Sequence, residues 1–260
     1  MTMDRVLLRP KTEEHKDLVL RMDRYLVRRF GLARNSVYLK VGDYYLNCVP
    51  FEISLASCRA IAVFERKEIE YFSDYVGGMY NLHLTIEHEG FSKPLSLFLK
   101  VRLECFEQHN PESNVCIINM KNITVPNDFL EVFVGVADEY SAVRALYDDE
   151  YGSVPVDLKT FRSTLGSPYF TVRTDADATI AGKSTRVSSR QIQLFLDLEE
   201  VELAPGARVD IEFTPLQALV SGTVSEIKES AETTGFAFVT VDLQFSQSYL
   251  AIVRKLLPSS

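Results

Sequence analysis

The feature that most limits this chain is a layout that occurs twice. In the first half, Glu52-Ile53-Ser54-Leu55-Ala56-Ser57 reads as a strand end running into a serine-centred turn, and the apolar strand Cys58–Phe64 follows at once. In the second half, Arg186-Val187-Ser188-Ser189-Arg190-Gln191 leads in the same way into Ile192–Leu196. Each turn is then followed by a further strand, Tyr80–Glu87 in one half and Arg208–Phe213 after Pro205-Gly206 in the other. A pair of strands comes next, Leu95–Glu104 with Val115–Met120, and Ala218–Glu226 with Phe236–Leu243. Each half ends in a helix. Val, Ile, Tyr, Phe and Thr fill the strands, and Gly, Asn and Pro mark the breaks. A half with six or seven short strands and a closing helix fits a small closed or nearly closed barrel.

The segments around the repeat change period. Residues 12–30 read as one amphipathic helix: Val19, Met22, Leu26 and Phe30 recur three and four apart, and Gly31 is a natural terminator. From Ser36 the period becomes two. Residues 67–75 fit a strand or a short turn. Asn127-Asp128 can open one helix and Asp138-Glu139 another. The expected organisation is a first domain over 1–147 with its leading helix, a linker over 148–166 and a second domain over 167–260.

Composition sets the class. The 260 residues carry 46% hydrophobic and 25% charged side chains, an ordinary globular balance. No apolar run approaches the roughly 20 residues of a membrane span, and the first residues lack the apolar core of a secretory signal, so a cytoplasmic protein is expected. The four cysteines form no C-x-x-C pair and sit among apolar neighbours, as buried reduced thiols do. A net charge of −8 argues against general nucleic-acid binding. The charge is uneven: residues 1–40 hold ten Lys/Arg against five Asp/Glu, leaving the remaining 220 at −13.

Catalytic motifs are missing. The sequence has no G-x-S-x-G, P-loop, H-E-x-x-H or G-x-G-x-x-G, and no nucleophile–base pair follows from spacing, so no enzyme is expected. His83 shares a strand face with Thr85 and Glu87, but no Cys/His/Asp cluster at ligand spacing supports a metal, and none is expected. His15 and His109 lie in polar stretches and read as surface residues. Tyr44-Tyr45, Tyr71-Phe72 and Tyr75 gather near turns, as barrel-rim aromatics or a partner-facing patch.

The order of turn, strand, Pro-Gly turn, strand and closing helix resembles the PilZ family of cyclic di-GMP receptor domains, over about residues 24–137 and again 167–257. The fold class this implies is mainly β, two six- to seven-stranded PilZ-like barrels in tandem with short flanking helices. Members that bind the dinucleotide carry R-x-x-x-R on an N-terminal stretch and [D/N]-x-S-x-x-G on a later turn. Arginine offers phosphate a planar fork and can stack on guanine, and glycine lets backbone approach the ligand. Arg24-Tyr25-Leu26-Val27-Arg28 matches the first motif, with Arg29 beside it. Glu52 and Ser54 take the acid and serine places of the second, and Ser57 replaces its glycine. In the second half only Ser188 matches, no R-x-x-x-R precedes it, and the nearest basic residues are Lys159, Arg162 and Arg173. The ligand site implied by the resemblance is therefore Arg24, Arg28, Arg29, Glu52 and Ser54. The resemblance implies a bacterial, non-enzymatic regulatory or protein-interaction module linked to motility or a surface apparatus, with an unidentified protein partner and with cyclic di-GMP binding degenerate or lost. The reading left open beside it is a genuine receptor holding the dinucleotide in the first domain.

Overall fold

The computed structural model describes residues 5–87, 93–108, 114–148, 154–155, 169–199, 201–213 and 218–256. The chain divides into two compact units, Met1–Glu139 and Tyr140–Ser260. The linker expected over 148–166 lies outside the described residues apart from Asp148, which is helical, and Val154–Pro155.

The first unit holds α1 (Arg5–Glu14), β1 (Leu20–Arg21), α2 (Arg24–Phe30), β2 (Leu32–Val41), β3 (Tyr44–Asn47), β4 (Val49–Ile53), β5 (Ser57–Val63), α3 (Arg66–Ser73), β6 (Met79–Ile86), β7 (Leu95–Gln108) and β8 (Val115–Thr124). Its antiparallel sheet runs β1-β4-β5-β8-β7-β6-β2-β3. Alternate residues point inward, and Leu39, Val41, Leu82, Leu84, Leu99, Val101 and Ile118 are almost fully buried.

Helix α4 (Asn127–Asp148) passes through the division between the units. Its early turns carry Phe129 and Phe133, which pack on Phe30. Its last turns carry Val143, which belongs to the second unit's core. The second unit continues with β9 (Val154–Pro155), β10 (Tyr169–Thr174), β11 (Thr179–Val187), β12 (Gln191–Asp197), β13 (Arg208–Phe213), β14 (Ala218–Glu229), β15 (Phe236–Leu243) and α5 (Gln247–Leu256). The sheet order is β10-β13-β14-β15-β12-β11-β9, and β10 also pairs with β11. Six strands thus close into a barrel.

The two units share one strand order. Placing β4, β5, β6, β7, β8 and β2 on β11, β12, β13, β14, β15 and β10 superimposes every neighbour relation. The two-residue strands β1 and β9 match as well: Arg21 pairs with Glu52, and Pro155 with Arg186. Two of the bulges coincide too. Phe51 is the extra residue in β4 and Thr185 in β11, each three residues before the turn serine. Glu104 bulges from β7 as Ser225 does from β14. The units differ at closure. Where β10 turns straight into β11, the first unit turns at Gly42 (φ +59°) into β3, which takes the edge of β2. That sheet is curled and ends on β1 and β3, with the backbone bond from Cys48 N to Val37 O at 3.1 Å linking β2 to the start of β4.

Three sequence expectations are corrected here. Residues 12–30 are not one helix: Leu20-Arg21 extend to pair with Ile53-Glu52, and Asp23 starts α2 by accepting from Leu26 N at 2.8 Å. Leu20, not Val19, is the buried residue. The helices expected to begin at Asn127 and Asp138 are one, because the Asp138 side chain faces Lys11 and His15 and caps nothing. His15 is buried, its Nε2 2.8 Å from Asp138 Oδ1, whereas His109 lies outside the described residues.

Candidate functional site

The serine turns are built alike. In the first unit Ser54 N donates to Ser57 O at 2.8 Å, and Ser57 N donates to Ser54 Oγ at 2.9 Å. In the second, Ser188 N donates to Gln191 O and Gln191 N to Ser188 Oγ, both at 2.8 Å. Serine suits this place because its hydroxyl closes the turn that the backbone alone would leave half-bonded. Each turn also has its first carbonyl capped from outside. Asn122 Nδ2 donates to Ser54 O at 3.1 Å, and the buried Tyr249 hydroxyl donates to Ser188 O at 2.8 Å.

Beside the first turn, the register lines up Arg21, Glu52, Arg59, Asn119 and Cys105 in one row across β1, β4, β5, β8 and β7. The row is bonded along its length. Arg59 Nη1 lies 2.9 Å from Glu52 Oε2, and Arg59 Nε donates to Asn119 Oδ1 at 2.9 Å. Arg21 Nε is 3.5 Å from Glu52 Oε1, and Asn119 Nδ2 donates to Glu107 Oε1 at 2.8 Å. The Arg59 guanidinium lies over the Phe51 ring at 5.0 Å, so the bulge supplies its floor.

The five residues named from sequence fall into two groups. Glu52 and Ser54 lie in this row and its turn, Glu52 paired with Arg59 and Ser54 almost wholly buried. Arg24, Arg28 and Arg29 are exposed on α2, a helix and not a loop. Arg29 Nε donates to Glu139 Oε2 at 2.8 Å, and the Tyr25 hydroxyl donates to the other oxygen of that carboxylate. Burial and the bond to Glu139 push the Tyr25 hydroxyl pKa up. The arginine beside Glu52 is Arg21, which the sequence reading did not choose. Arg59 and Asn119 were missed too. A hairpin register counted outward from the Ser54–Ser57 turn, with one bulge allowed, sets residue 59 opposite residue 52 and would have found Arg59.

In the second unit the turn's own Arg190 donates from Nε to Tyr147 O at 2.8 Å and from Nη2 to Asp148 O at 3.1 Å. It lies over the Tyr147 ring at 5.1 Å. Arg144 in turn donates to Asp148 Oδ2 at 3.0 Å. Lys159 and Arg162 lie outside the described residues.

The PilZN3 domain family matches residues 11–138. The first unit is thus a member of the PilZN3 domain family. No curated protein sequence matches it. Among solved PilZ-type structures, PlzA of Borreliella burgdorferi in complex with c-di-GMP is 12% identical, over 97% of this chain and 99% of that one, with a TM-score of 0.45. YcgR of Escherichia coli in complex with c-di-GMP is 11% identical over 93% and 92%, with a TM-score of 0.28. The Bacillus subtilis inhibitor of motility MotI is 10% identical over 84% and 93%, with a TM-score of 0.29. Among the described residues no helix is long and apolar enough to cross a membrane, and no three His, Cys, Asp or Glu side chains converge as metal ligands.

Proposed function

We propose that this chain is a non-enzymatic, cytoplasmic PilZ-type regulatory protein, two tandem domains working through a protein partner in control of motility or a surface apparatus, with its cyclic di-GMP motifs turned to its own structure. The observation that carries this reading is the internal use of the motif residues. Glu52 is held by Arg59 and Arg21, and Ser54 spends its hydroxyl on its own turn. Arg29 is held by Glu139, and Arg190, within the second turn, is held by bonds to Tyr147 and Asp148. A dinucleotide would have to break these pairs before making its own, and a buried or half-buried charge left unpaired is costly.

The second reading, a receptor acting through the first unit, is favoured by Arg24 and Arg28, exposed one helical turn apart. Calorimetric titration of the full chain with cyclic di-GMP separates the two. No heat at about 100 times a micromolar dissociation constant supports the first reading. Micromolar binding that vanishes in Arg28→Ala and Arg24→Ala overturns it.

A further inference from the structure

The outer face of β2, β3, β6 and β7 carries features the preceding reading does not use. One cross-strand row reads Tyr38, His83, Phe98 over β2, β6 and β7. The Tyr38 and His83 rings stack with centroids 4.3 Å apart, and Phe98 stands at 82° to His83 with centroids 4.4 Å apart. Tyr45 flanks the other end, edge-on to Tyr38 at 5.4 Å. Tyr45 and Phe98 are 58% and 55% exposed, and Lys40 Nζ lies over the Tyr45 ring at 5.4 Å, so the stack ends in one open ring, Phe98, and one exposed ring shared with Lys40. Among the described residues, the buried His83 Nε2 has no hydrogen-bond partner. Burial, with Lys40 nearby, lowers the His83 pKa, so the ring sits in the stack uncharged near neutral pH.

The next two rows are cationic. Lys40, Asn81 and Lys100 share one, and Met79, Arg102 and Lys121 the other. These rows hold no carboxylate, and among the described residues none of the four cations is in an ion pair. On a chain with net charge −8, a sheet face bearing four cations that form no ion pair among the described residues, beside exposed rings, is selective for one chemistry. Phosphates answer the cations and flat bases answer the rings. A smooth anionic surface would use the cations and leave the rings without a counterpart.

We propose that this face binds single-stranded nucleic acid, with the backbone along Lys40, Lys100, Arg102 and Lys121 and bases on Tyr45 and Phe98. Overall negative charge works against long-range attraction but does not cancel a local face at Debye distances of about 8 Å. The inference is independent of whether the dinucleotide motifs are spent.

The test uses the full chain and a fluorescein-labelled thymidine oligonucleotide of about 15 nucleotides, followed by anisotropy. With four phosphates neutralised on a single strand, log K falls against log salt with a slope of about −3, or about 50-fold between roughly 50 and 200 mM salt. K100E/R102E weakens binding at least about tenfold and flattens that slope by half or more. F98A weakens it by about 5- to 150-fold, and K228E, on the second unit, leaves it unchanged. Variant folding is checked by thermal melts. No anisotropy change at about 50 mM salt overturns the proposal, as does binding indifferent to K100E/R102E. Equal binding of polyphosphate with no effect of F98A also overturns it. So does cosedimentation with phosphatidylserine vesicles without oligonucleotide binding, which would assign the face to a membrane.

Discussion

Arg59 and Glu52 occupy the same register position on β5 and β4, with Nη1 2.9 Å from Oε2. Glu52 keeps only 18% of its side chain exposed, so the pair is a fixed part of the sheet. Arg59→Ala leaves Glu52 with only the longer contact to Arg21 and takes the donor from Asn119 Oδ1, and is expected to cost about 1–3 kcal/mol. Arg59→Lys should cost less but not recover fully, since an ammonium cannot reach Glu52 and Asn119 with one planar fork. Urea unfolding of the three proteins measures the order; an Arg59→Ala midpoint equal to the parent would refute it.

The capped turn carbonyls make a matched pair of tests. Asn122→Ala uncaps Ser54 O, and Tyr249→Phe uncaps Ser188 O. Each should lower stability by about 1–3 kcal/mol. Burial pushes the Tyr249 hydroxyl pKa up, so the folded chain keeps this donor protonated where the unfolded phenol begins to ionise. The loss in Tyr249→Phe should therefore be full at neutral pH and shrink as pH rises past about 10.

Gly31 ends α2 at φ +70°, and a Cβ there would meet Glu87 O at 2.2 Å. Gly31→Ala is expected to destabilise by about 1–3 kcal/mol from backbone strain alone, and more from the contact. Gly77→Ala, also at positive φ but with open space around it, should pay the strain only. Equal losses in thermal melts would refute the contact.

Asp138 links acid stability to one cluster. Burial pushes its carboxyl pKa up, but hydrogen bonds and charge from Lys11 and His15 outweigh this and hold it below the usual 3.8. A carboxyl depressed on folding stabilises above its unfolded pKa, and that stability disappears as pH falls through the folded one. Asp138→Asn should thus lose stability at neutral pH and show a shallower decline below about pH 4 than the parent. Denaturant midpoints across that range provide the check.

The cysteines should react unequally. Burial pushes the Cys48 pKa up to about 12 and raises those of Cys58 and Cys116 as well. Cys105 is the partly exposed one of the four. In the native chain, a thiol reagent near pH 8 should modify Cys105 fast and the rest only on unfolding, with C105S removing the fast phase.

The repeat was legible because it is written in local chemistry. Ser54 and Ser188 close their turns with side-chain bonds spanning three residues, and strands with alternate apolar residues follow directly. What was not legible depended on distant partners. Leu20 leaves the helical pattern only because Ile53 offers it a strand to pair with. Residues 67–75 fitted no period clearly, yet Arg66–Ser73 form α3, started by the reciprocal capping of Glu65 and Glu68. Arg24 and Arg28 matched a ligand motif by spacing, but Asp23 caps them into a helix while register brings Arg21 to Glu52. The Lys40–Lys121 face was invisible because its residues come from strands far apart in sequence.

The unclosed sheet of the first unit bears on how the protein behaves when crowded. Its outermost strands, β1 and β3, run two and four residues. A stray strand docking there would gain only a few main-chain hydrogen bonds against the entropy of ordering itself. Brevity thus does for this unit what ring closure does for the other: it denies fibrils a template. A change that lengthened β3 beyond Asn47 would remove that protection before it touched any ligand chemistry.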